Sequence, residues 1–187
     1  MKVAAPFSSL LSVWIVSCAP VPEAAPAPPR VEARSAQGFD REEVRREVES
    51  HVAARLGGEA ARLAAGASTS VMVTHHQGFP RPIQNPDGSV GYEPPGANAF
   101  VRGPAGWTGW AGAAQRPVAA ARAAEIDRIL ADPRFWAEPD HVPPACTDAG
   151  ARRLVVRHAG RTAVRQQGCG GQGLTGRLWE LVFGGPG

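Results

Sequence analysis

Cysteine is scarce in this chain, lysine and tyrosine are scarcer still, and no familiar catalytic signature is written into it. The three cysteines stand too far apart for a C-x-x-C metal clip. No H-E-x-x-H run offers the ligands of a zinc protease, and neither a G-x-S-x-G elbow nor an S-x-x-K motif places a nucleophilic serine. The glycines of "GCGGQG" at 168–173 lack the Lys-Ser/Thr ending of a phosphate loop and read as a flexible connection. Between residues 60 and 124 the only acids are Asp87 and Glu93, a poor supply for paired-carboxylate glycoside cleavage. Lys2 is the single lysine, and without it the formal charge falls from +3 to +2, with acids and arginines interspersed. That pattern has no basic stripe and excludes nucleic acid as a partner. No cofactor is called for by any of these patterns, and no catalytic residue or metal ligand set is assigned from them.

What is present begins at the N-terminus. Lys2 supplies a positive start, and Val3 to Val16 form an apolar run interrupted by serines, too short for a permanent membrane span. It ends in Ile15-Val16-Ser17-Cys18. This ending resembles the lipobox of bacterial lipoproteins, where a branched apolar residue stands three before the cysteine and a small residue directly before it. The resemblance implies that residues 1–17 are a cleaved signal peptide and that Cys18 carries the lipid. Each buried methylene of such an anchor adds about 0.8 kcal/mol. Localisation would then be at the cell membrane or outer membrane. Ala19 is not the aspartate tied to inner-membrane retention in enteric lipoproteins, which favours the outer membrane.

Residues 18–38 form a tract rich in proline and alanine that cannot bury enough apolar surface to fold. Extended, such a tether reaches about 60 Å at polyproline spacing. Residues 39–187 remain, enough for one domain with its own core. Cys146 and Cys169 are an even pair in an oxidising compartment and are expected to form a disulfide, worth about 3 kcal/mol.

Along that domain, "DREEVRREVESHVAARL" repeats Val44, Val48, Val52 and Leu56 every four residues behind Asp40, which predicts a helix stopped by Gly57-Gly58. His51 lies beside that stripe and reads as a partly covered surface histidine. "STSVMVTHH" over 68–76 predicts a strand, 78–96 a long loop with an "NPDG" turn, and "NAFVRG" over 98–103 a second strand. A glycine-rich connection then carries Trp107 and Trp110. Pro117 to Ala131 predicts the second helix, with Pro117 in its first turn. Phe135 and Trp136 follow as core anchors. "ARRLVVRHAGRTAVRQQG" over 151–168 predicts a hairpin turning at Ala159-Gly160, and "LTGRLWELVF" a closing helix. The order helix, strand, strand, helix, strand, strand, helix argues an α+β fold: a small antiparallel sheet with helices on one side.

Residues 118–183, through "EIDRILADPRFW", "LVVRHAGRTAVRQ" and "LWELV", resemble a family of small bacterial α+β modules that includes emfourin, an inhibitor of thermolysin-like metalloproteases. The resemblance implies the fold of that part and a protease as one class of partner. It carries no inhibitory residue across.

Two sets of side chains are candidates for contact or chemistry. Trp107 and Trp110 serve either as lid of the core or as an exposed surface, and partner binding through them and the Gly78–Gly96 loop is the expectation carried forward. His75 and His76 end the first strand. Alternation sends them to opposite faces, so a metal would need His141, His158, Asp87 or Glu93 brought in by the fold. The first reading is therefore a lipid-anchored, non-enzymatic domain that binds an envelope protein, with inhibition of a protease as the role that the resemblance implies. The alternatives are a metal-dependent envelope hydrolase using His75 or His76 and a structural cell-envelope lipoprotein.

Overall fold

The computed structural model describes residues 39–76, 81–93, 95–111, 113–144, 150–168 and 170–186. Cys18, Cys146 and Cys169, with the signal and tether, lie outside the described residues.

Helix α1 (Arg41–Leu56) starts where Asp40 accepts hydrogen bonds from the amides of Glu42 and Glu43 at 2.8 and 3.1 Å. The cap satisfies two donors that a helix start leaves without partners. Val44, Val48, Val52 and Leu56 are its buried face. Gly57 then takes φ +99°, a conformation other residues rarely adopt. It redirects the chain without ending helical structure: α2 (Gly58–Gly66) follows and buries Ala60 and Ala64. The expected full stop at Gly57-Gly58 is a corner.

Seven strands form the main sheet: β1 (Ser70–His75), β4 (Gly96–Gly103), β5 (Gly106–Ala111), β6 (Ala114–Pro117), β7 (His141–Val142), β8 (Ala151–His158) and β9 (Arg161–Gly168). Their order is β6-β5-β4-β1-β8-β9-β7, antiparallel throughout except for the short parallel pair β7–β9. A separate two-stranded sheet joins β2 (Pro82–Gln84) to β3 (Val90–Tyr92) inside the expected long loop. Helices α3 (Ala120–Ala131), α4 (Pro133–Ala137) and α5 (Gly173–Phe183) complete the fold.

The class is α+β as expected, but the sheet is larger and covered on both faces. Val71, Val73, Leu154 and Val156 point to one side and pack with Ile126, Ile129 and Leu130 of α3, Phe135 of α4 and Leu178 and Val182 of α5. Met72, Val155 and Val164 point to the other and meet the valines of α1 and the alanines of α2. Period-two alternation thus divides one sheet between two cores. Each fully buried aliphatic side chain contributes about 1.5–3 kcal/mol.

The glycine-rich connection is strand β5, and its tryptophans are the reason. Trp107 belongs to the first core and Trp110 to the second, 4% and 5% exposed. Three positions apart on a strand, they face opposite sides and give one indole to each core. Gly109 between them pairs with Phe100, and a Cβ there would stand 2.4 Å from the Phe100 ring. Pro117 ends the edge strand β6 opposite Thr108, where no ladder donor is needed, and α3 begins only at Ala120.

Candidate functional site

The indole pair does not form the exposed contact surface expected of it. Burial excludes that role: Trp107 Nε1 donates to Asp127 Oδ1 at 2.9 Å, and Trp110 is enclosed under α1. Exposed apolar surface lies on the β2–β3 hairpin instead. Among the described residues four large hydrophobic side chains are exposed, and three are here: Ile83 at 38%, Val90 at 75% and Tyr92 at 67%.

The hairpin's own bonds hold that surface out. Asn85 N–H donates to Ser89 O at 2.8 Å, Gly88 N–H returns to Asn85 O at 2.9 Å, and Asn85 Nδ2 reaches Ser89 Oγ at 2.8 Å. Asp87 Oδ1 accepts from Ser89 N and Ser89 Oγ at 2.9 and 2.7 Å, and these bonds hold its carboxyl below the usual range. Gly88 supplies the positive φ, +82°, that closes the turn. Register places Val90 opposite Gln84 and Tyr92 opposite Pro82, so both exposed side chains share one face. Each strand keeps one edge outside the pairing of the two-stranded sheet.

The histidines at the end of β1 diverge as expected, and each meets different company. His75 turns to the first core, edge-on to Trp179 and Phe183 at 5.6 and 5.8 Å. His76 turns to α1, where it faces His51 at 4.8 Å between ring centres and Glu47 Oε1 at 3.6 Å from Nε2. Glu47 and His51 are one helical turn apart, so they project side by side. Potential ligand atoms of Glu47, His51 and His76 all lie within 4.8 Å of one another.

Arg153 of β8 completes this cluster. Its guanidinium pairs with Glu47 and lies 3.0 Å from His76 Nε2, while Nε donates to Gln166 at 2.8 Å. Burial, then the Arg153 charge, lowers His76 to about 4. His51 is lowered for the same first reason, so both imidazoles are neutral at pH 7. Neutral imidazoles and a carboxylate are a zinc-type donor set, and here a guanidinium already engages two of the three. His141 and His158 are not recruited: one stacks on Phe39 and the other on Trp136. Asp87 is held in the hairpin turn. The readable signal for the cluster was the Glu47–His51 spacing on α1, while its third member comes from another element.

No family model, no curated protein and no solved structure matches this chain.

Proposed function

We propose that this chain is a lipid-anchored envelope protein whose α+β domain binds a protein partner through the β2–β3 hairpin. The observation that carries the reading is the concentration of exposed apolar side chains on that hairpin, with Val90 and Tyr92 on one face of a turn held by its own hydrogen bonds. A preformed surface with open strand edges is suited to adding a partner's strand and seating its side chains. The lipobox ending at Cys18 supports the anchor, and a Pro/Ala tract after it supports a domain held away from the lipid. The resemblance of residues 118–183 to emfourin-like modules makes a protease one partner to assay.

The test places a photo-crosslinking residue at position 90 of the full chain in its own envelope. A partner joined from position 90 and lost on Tyr92→Asp supports the reading. Identical capture with and without that substitution, or a hydrolytic activity of the purified chain abolished by one point substitution, refutes it. Cys18→Ser is expected to move the protein from the detergent phase to the aqueous phase on partitioning.

A second reading, metal-dependent hydrolysis, is favoured by one finding: His76 is met by Glu47 and His51. It ranks lower because zinc has to displace Arg153 from Glu47. Equilibrium dialysis against zinc, with His51→Ala as control, decides it.

A further inference from the structure

A cavity of about 620 Å³ opens where the main sheet comes apart. Strand β4 pairs with β1 along its length to Gly96, yet its last partner on β5 is Gly109, opposite Phe100. Beyond that point β5 turns to β6, with Trp110 opposite Gln115. The unzipped edge is capped from within: the Ala99 amide donates to Oδ1 of the neighbouring Asn98 at 2.9 Å. Asn98 Nδ2 in turn donates to Val182 O at 2.9 Å, fixing the end of α5 beside the gap. The C-terminal segment is tied down by Ala119 N–H donating to Pro186 O at 3.1 Å.

The wall is therefore drawn from both layers. Leu56 and Trp110 come from the α1 side, Phe183 and Pro186 from the α5 side. The charged lining side chains are Arg55 and Arg116, both exposed, and no Asp or Glu lines the cavity. Among the described residues neither arginine has a carboxylate within ion-pair distance, whereas ten other arginines do. An open cavity of ordinary ligand size, with apolar and polar lining mixed and two unspent guanidinium groups, has the chemistry of a binding site for an amphipathic molecule.

From this we infer that the gap between β4 and β5 binds a free amphipathic anion, a carboxylate or sulfonate on a flat apolar body. The body lies against Phe183 and Pro117 and the anionic head meets Arg55 and Arg116. This site is separate from the β2–β3 hairpin and stands whether or not the hairpin binds a partner.

The probe is naphthalene-2-sulfonate, with naphthalene-2-methanol as its uncharged counterpart, titrated calorimetrically into the full chain carrying Cys18→Ser. Saturable binding at one site is expected, at least tenfold tighter for the sulfonate. Arg55→Gln and Arg116→Gln should each weaken it three- to fivefold, the size expected of one exposed charge contact, and the double variant tenfold or more. Both side chains are exposed, so these variants keep the fold. Ala97→Leu, which adds bulk to the cavity wall without altering either charge, should weaken binding. No saturable binding, equal affinity for the alcohol, or an unchanged double variant overturns the site. Arginine-dependent sedimentation with phosphatidylglycerol vesicles, without sulfonate binding, overturns the free ligand in favour of a lipid headgroup.

Discussion

Arg165 is the bulkiest side chain that the described fold hides completely, 1% exposed beneath α5. Its guanidinium lies 4.3 Å from the centre of the Phe135 ring and donates to Phe135 O and Thr175 Oγ1. Glu138 joins the same knot. It accepts from the amides of Leu174 and Thr175 at 2.7 and 2.9 Å, so one carboxylate caps α5 and faces Arg165 at 3.4 Å. The two partners are not equivalent. Glu138→Gln strands a buried cation with only the more distant Asp140, 4.0 Å away, and should cost about 3 kcal/mol. Arg165→Met leaves Glu138 with its amide donors and should cost about half as much; urea unfolding of both variants measures the difference. A second prediction concerns His76, which faces Glu47 and His51 of α1, Arg153 of β8 and its neighbour His75. Unfolded, it titrates near its ordinary 6.5; folded, it titrates at about 4. In that window the unfolded chain binds the proton and the folded chain does not. Stability is thus fully present above pH 6.5, falls toward pH 4 and levels below it, by about 2–3 kcal/mol for a ring that keeps partial contact with solvent. His76→Gln should flatten that slope in pH-dependent unfolding. None of this was legible in residue order alone, because Arg165 looks like any outward strand arginine until the sheet's second face is known to be covered.

Among the elements, legibility followed periodicity. The four-residue repeat of Val44, Val48, Val52 and Leu56 announces α1, and the β-branched run around Ala159-Gly160 announces β8 and β9. Strand β5 gave no such signal because "GWTGWA" carries its apolar information in two residues at odd spacing, and its glycine has a meaning only opposite Phe100. Pro117 fits a helix start and an edge strand equally well, and tertiary context decided for the strand. Gly109 supplies the element-scale prediction. Gly109→Val forces a side chain into the Phe100 ring and should cost about 1–3 kcal/mol, with Phe100→Ala in the same chain recovering part of the loss relative to Phe100→Ala alone. Differential scanning calorimetry of the three variants reads the coupling. The hairpin at β2–β3 was half visible: its "NPDG" turn is plain in the sequence, while the strands on either side are too short to show a period.

For the molecule as a whole, the expectation of helices on one side failed because no single helix pattern says which face of a sheet it will cover. The register of the β8–β9 hairpin bears on the expected disulfide, for it sets Ala151 opposite Gly168. Pro144 also packs on Gly168, 2.5 Å from where a Cβ would stand, so residues two before Cys146 and one before Cys169 in the sequence lie side by side. Peptide mapping without reductant should therefore recover the two cysteines in one linked pair, and reduction should lower stability by about 3 kcal/mol. Strand β1 is paired on one side by β4 and on the other by β8. A chain delivered N-terminus first presents β4 soon after β1, but β8 starts only at Ala151. Between the arrival of β4 and that of β8 the molecule is a half-zipped sheet with its middle strand open to any passing polypeptide, and its closure waits for β8.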